Sequence, residues 1–269
     1  MGASIKRIGV IAHNTFRESI RDKILYNIVF LAIALSIFSI ILGEWSVFDK
    51  AYAIKSTTFS IMSLSGLLIS IFVGISLVQK EIQKRTIYTL LSKPVHRAEF
   101  ILGKYLGLIA VVATHLGILT VVFYGILWLS NADPQIALLQ GVYLIFWELA
   151  IIVAVAMLFS SFSTPVLSSL FTLGVYFAGH LSHELLAQVR FLQKIDENLS
   201  SFSLQLMEWG ALWVNRILPA LYKFNITNAL VHQIALPPFY LFWHSLYAIA
   251  FVAVFLVIGS WWFSKRDFL

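Results

Sequence analysis

The chain has 269 residues, of which 59% are apolar and only 12% charged, against about 25% charged in soluble domains. That excludes an ordinary water-soluble globule, and the apolar content, with 6 prolines and 14 glycines scattered through it, excludes a disordered chain. The net charge of +6 does not mark a nucleic-acid surface, because the basic residues stand between long apolar runs and not on one soluble face. Cysteine is absent, so the chain has no disulfide, thiolate metal site or cysteine nucleophile.

In residues 1–23, Ile5, Ile8, Ala12, Phe16 and Ile20 recur at helical spacing, with Lys6, Arg7, Arg17, Glu18 and Arg21 elsewhere around the wheel. The pattern lacks the form of a cleaved signal. It predicts an amphipathic helix lying in the inner headgroup layer, or a solvated helix packed on a partner.

Six apolar stretches then approach the roughly 20 residues that a membrane crossing needs. They are Ile24–Leu42, Thr57–Val78, Ile101–Leu129, Ile136–Phe159, Val166–Leu181 and Phe239–Phe263. The fifth is the shortest. All six prolines fall between these runs or at their edges, where a helix must stop or restart. The expected fold is all-α: one polytopic membrane domain over 1–269 with six transmembrane helices. Of 19 Lys and Arg, 13 lie before the first stretch, after the second and after the sixth. That asymmetry puts both termini in the cytoplasm. No internal repeat is visible, which argues against a secondary transporter built from inverted repeats.

Two connections are unusual. In the cytoplasmic segment 80–98, Ile82, Thr86, Ile87, Leu90 and Leu91 share one helical face, Lys80, Lys84, Arg85 and Tyr88 surround it, and Pro94 ends it. A short helix with an apolar strip outside the membrane can bury it in lipid headgroups, in another loop or in the groove of a soluble partner. In the extracytoplasmic segment 184–238, Leu199, Phe202, Leu206, Trp209, Trp213 and Ile217 fall three and four apart. This second helix either lies on the outer leaflet, where tryptophan anchors, or forms a docking surface for an extracytoplasmic accessory protein.

Ionisable residues inside apolar runs are candidates by default. Glu148 lies mid-way along the fourth stretch and His115 along the third, at depths similar enough for the two to meet. They form a translocation path, or a structural interhelical hydrogen bond. His180, His183 and Glu184 make the chain's one tight His/carboxylate cluster. Imidazoles at i and i+3 share a helical face and could hold a metal ion, or they are polar residues at headgroup level. Neither a G-x-x-x-x-G-K-[ST] nor an H-E-x-x-H run occurs, so the chain cannot cradle nucleotide phosphates as a P-loop does.

The run Glu81, Arg85, Thr86, Leu90, Leu91, Ser92, Lys93, Pro94, Val95, Arg97, Glu99, Phe100, Gly103, Lys104 resembles the loop after the second span of type 2 ABC transporter permeases, the six-helix exporter class. Within that class it is most similar to permeases of multi-copper-enzyme maturation, which include the copper-processing permease of nitrous oxide reductase assembly. His96 departs from the pattern, standing where the family often has a small polar residue. The resemblance implies that 80–94 is a coupling helix in a cleft of a separate ATPase, with Glu81, Ile82, Arg85, Thr86, Ile87, Leu90, Leu91 and Pro94 at the contact. It further implies two ATPase copies holding ATP and magnesium, a second permease copy forming a homodimer, a prokaryotic inner-membrane location, and no cofactor or catalytic residue in this chain. The other class of function open to the sequence is an ATP-independent intramembrane enzyme, or a structural anchor, using His180, His183 and Glu184 or Glu148.

Overall fold

The computed structural model describes residues 2–46, 49–83, 97–195 and 202–265. Every element among them is helical: α1 (Gly2–Ser19), α2 (Lys23–Glu44), α3 (Lys50–Gln83), α4 (Arg97–Leu129), α5 (Leu138–Phe162), α6 (Pro165–Ile195), α7 (Phe202–Ile217), a 3₁₀ turn (Leu221–Phe224), α8 (Thr227–Val231) and α9 (Tyr240–Lys265). Helices α2, α3, α4, α5 and α9 are long and apolar enough to cross a membrane. The fifth predicted stretch falls inside α6, which is 31 residues long.

The second stretch changes at both ends. No glycine or proline interrupts 75–83, and α3 runs on to Gln83 as one helix. Lys80–Gln83, expected to open a separate cytoplasmic helix, are therefore a continuation of α3. Glu81 and Ile82 are described only as helical backbone, while Arg85, Thr86, Ile87, Leu90, Leu91 and Pro94 lie outside the described residues. At the other breaks local chemistry is plain. Asp22 caps α2 by accepting from the Ile24 N–H, and Pro165 opens α6, where its missing N–H costs nothing.

Helix α5 is the axis of the bundle. Its residues 148–156 are almost completely buried, enclosed by α3, α4, α6 and α9. Around it the outward faces are apolar. On α2, Phe30, Leu31, Ile37 and Phe38 are exposed, and α2 reaches α3 through small groups, with the Gly43 backbone against Ile54 and Ser39 beside Thr58. A helix that is apolar on its free side and small on its packed side suits a lipid solvent, in which close backbone approach replaces the hydrophobic effect as the drive to associate.

The same device holds α1. It runs alongside the first three turns of α4, where Gly103 and Gly107 meet it with almost no clearance. A Cβ at Gly107 would lie 2.7 Å from the Ala12 carbonyl oxygen and 2.6 Å from Thr15 Cβ. One turn earlier, Arg7 forks onto Glu99, with both nitrogen–oxygen distances 3.0 Å, and Ser4 donates to the same carboxylate. Thr15 and Ser19 are the buried residues of α1, while Ile8, Ala12, Phe16 and Ile20 are half-buried and Ile5 is exposed. Part of the predicted apolar face is thus covered by the chain's own α4.

Candidate functional site

The least expected feature of the bundle is a polar ring inside it. Glu148, on the third turn of α5, is 1% exposed. Ser63 of α3 donates to its Oε1 at 3.3 Å, and the Tyr176 hydroxyl of α6 lies 3.2 Å from the Ser63 oxygen. Since the Ser63 proton is directed at Glu148, the Tyr176 hydroxyl is the donor in that second contact. His180 closes the ring. Its Nδ1 is 3.1 Å from the Tyr176 carbonyl oxygen, its Nε2 is 3.6 Å from Glu148 Oε1, and its ring lies 4.5 Å from that of Tyr176.

The geometry constrains the tautomer of His180. A carbonyl oxygen only accepts, so His180 Nδ1 carries a hydrogen, and Nε2 and the Glu148 oxygen then face one another as two acceptors unless one proton lies between them. That proton makes either a neutral acid beside a neutral imidazole or an ion pair. At 3.6 Å the contact suits charge interaction better than a direct hydrogen bond. The Glu148–His180 contact joins α5 to α6 and is steadied by Ser63 of α3, so a tilt of any of the three helices would disturb it.

The ring borders a cavity of about 140 Å³, lined by Ser63, Glu148, Tyr176 and His180 and on its other side by Phe224, Asn225 and Thr227. The 3₁₀ turn and α8 supply that second wall because Leu221, Phe224, Ile226 and Leu230 are buried against α3, α5 and α6. Segment 184–238 therefore does more than lie across one end of the bundle, since its 221–230 part plugs into it. The predicted helix at Phe202–Ile217 is present, and its Leu206, Trp209, Trp213 and Ile217 face outward. Leu199 lies outside the described residues.

The candidate residues divide differently from the sequence expectation. Glu148 meets His180 and not His115. His115 is 2% exposed and bonds Ser65 of α3 at 2.9 Å, while Ser63 serves Glu148. Two residues apart on a helix is a rotation of roughly 200°, so α3 stands between the two groups although their depths match. The metal cluster also comes apart. His180 faces Glu148, His183 stacks on Tyr222 with ring centroids 4.5 Å apart, and Glu184 is exposed. Among the described residues no group of three or more His, Asp or Glu is placed to hold a metal ion.

Sequence reasoning missed Ser63 and Tyr176. Tyr176 precedes His180 by four residues and so shares its face, a signal that was available. Ser63 is one of many hydroxyl residues of α3 and had no distinguishing mark.

No protein of curated function matches the chain. The family model described as ABC-2 family transporter protein matches residues 10–268, which takes in all five membrane-crossing helices, the polar ring and the 221–230 plug. The chain is a multi-pass membrane protein and belongs to the ABC-2 transporter family.

Proposed function

We propose that this chain is the membrane-spanning permease subunit of an ATP-driven exporter, powered by a separate cytoplasmic ATPase. The observation that carries the reading is the family match from residue 10 to 268 on a bundle whose sequence has no phosphate-cradling loop of its own. Two ATPase copies would bind ATP and magnesium and push on the 80–94 segment and the short 163–164 break between α5 and α6, in a homodimer with α6 as the sixth crossing. Continuity of α3 to Gln83 supports this, because a load applied beyond Gln83 meets a single rigid rod that carries Ser63 at mid-length. Both termini would face the cytoplasm of a prokaryotic cell, with 184–238 on the far side and α1 at the inner interface. The multi-copper-enzyme maturation type remains the subclass that the loop sequence most resembles, with the cargo open.

Purification of the tagged full chain in gentle detergent should retain an ATPase subunit, and Glu81→Ala combined with Arg85→Ala should release or uncouple it. Preparations that never retain an ATPase sink the reading. A second reading, an ATP-independent intramembrane enzyme, draws on the Glu148–His180 pair. It requires activity that survives the Glu81/Arg85 double substitution without nucleotide.

A further inference from the structure

The cavity beside Glu148 is shaped by one stripe from each of three helices. Gly141 and Glu148 stand two turns apart on α5, Phe59 and Ser63 one turn apart on α3, and Tyr176 and His180 one turn apart on α6, so each pair shares a face on the same space. Gly141 makes room for it. A Cβ there would lie 2.8 Å from a Phe59 ring carbon and 2.8 Å from a Leu230 methyl carbon, displacing the α3 wall or the plug. Ser60 and Asn225 are the exposed members of the lining and mark its mouth. Glu148, 1% exposed, lies at its base.

Charge, walls and size narrow what this space can hold. Glu148 Oε1 takes the Ser63 bond and faces His180, while Oε2 accepts no hydrogen bond among the described residues. No Lys or Arg is among the described residues of the lining, so an anion would meet the carboxylate without a counter-charge. The Ser63 and Tyr176 hydroxyls are engaged with Glu148 and with each other, and Asn225 Oδ1 with the Thr227 N–H, which leaves too few oxygens for a divalent ion that seeks about six. The rest of the wall is aromatic. Phe59, Phe224 and Tyr176, with the His180 ring 4.5 Å from that of Tyr176, offer the surfaces that attract alkylated ammonium groups. At about 140 Å³ the space is smaller than the ~300 Å³ of a drug-sized site and close to the ~150 Å³ that takes a benzene, so its guest has about six heavy atoms.

We propose that this cavity binds a small alkylammonium ion, with its charge against Glu148 Oε2 and its alkyl groups among Phe59, Tyr176 and Phe224. The ion enters past Ser60 and Asn225 and gives the free carboxylate oxygen the partner that the chain itself does not supply. Binding needs no ATPase, so it goes beyond the permease reading and does not stand or fall with it.

The test titrates the full-length chain in detergent, without nucleotide, with tetramethylammonium chloride, tert-butanol or potassium chloride and reads the thermal unfolding midpoint. tert-Butanol has nearly the same shape without the charge, and potassium chloride has the charge without the alkyl groups. Tetramethylammonium should raise the midpoint saturably, and the other two should not. Glu148→Gln removes the counter-charge of a buried ion and should weaken the apparent affinity at least ~30-fold. Phe224→Leu keeps an apolar wall but loses the ring, and should weaken it about fivefold, which keeps the proposal testable if the first variant folds poorly. An equal response to tert-butanol overturns the proposal, because filling of apolar space then suffices. An equal response to potassium chloride overturns it too, as does the absence of any response to tetramethylammonium. Unchanged affinity in either folded variant places the ion elsewhere and also overturns it.

Discussion

Glu148 and His115 are a natural pair of controls within one molecule. Both are ionisable, both are almost completely buried, and both bond a serine of α3, the two serines only two residues apart. Glu148 has Ser63, His180 and, through Ser63, Tyr176, together with a cavity beside it. His115 has Ser65 alone, and its Nδ1 has no partner. Ser65 already directs its proton to the Ile61 carbonyl, so His115 Nε2 must be the donor and Nδ1 a bare acceptor. Equal depth thus gives two kinds of group: one within a proton-sharing ring on three helices next to open space, the other a single link between two helices.

The largest expected effect separates the two directly. Glu148→Gln keeps the shape and the Ser63 bond but cannot share a proton with His180 as an acid does. Loss of one charge-assisted interaction, ~1.5–3 kcal/mol, corresponds to about a tenfold or larger fall if the cluster is stressed during each cycle. The measurement is transport-coupled ATPase activity of the reconstituted complex, with assembly retained. Full activity in Glu148→Gln would return Glu148 to the structural class and erase the contrast with His115.

Ser63→Ala comes next, because it cuts two contacts at once and leaves the Tyr176 hydroxyl and Glu148 separately unsatisfied. A loss of about 1–3 kcal/mol in unfolding free energy is expected for stranded buried groups. Tyr176→Phe removes only the outer member and keeps the ring packed on His180. Its cost should be about 0.6 kcal/mol, the usual worth of a hydrogen bond between membrane helices. If Tyr176→Phe costs more than Ser63→Ala in denaturant unfolding, the ring is organised around the tyrosine and not around the carboxylate.

How much of this was legible before the structure follows from the range of each signal. The five crossing helices were legible because apolar length is a local property, and the proline edges fixed most boundaries. The end of α3 was not, since a basic, amphipathic segment reads as a new helix even when nothing in it breaks the old one. Glu148 and His180 could each be singled out as polar residues in an apolar run, but their pairing is set by the packing of α3, α5 and α6, which no single-helix period contains. The 221–230 plug was invisible for a related reason: Leu221, Phe224, Ile226 and Leu230 are too few and too close to proline to read as more than loop. Gly103 stood in a resembling motif and Gly107 did not, and their use as the seat of α1 is a contact between segments more than 85 residues apart.

The smallest effect tests the other half of the contrast. His115→Leu removes a group with one hydrogen bond and one bare acceptor, and places an aliphatic side chain of similar volume among Leu116, Leu119 and Val112 of the same buried helix. Replacing an incompletely satisfied polar group by an apolar one of like shape is nearly neutral or mildly stabilising. The lost Ser65 contact costs little, because Ser65 keeps its bond to the Ile61 carbonyl. The unfolding free energy should therefore stay within about 0.5 kcal/mol of the parent, with coupled ATPase activity retained. A large loss of activity at unchanged stability would mean that His115 also exchanges a proton during the cycle. The contrast would then be between two working groups on opposite sides of α3, with the helix itself as the element that moves between them.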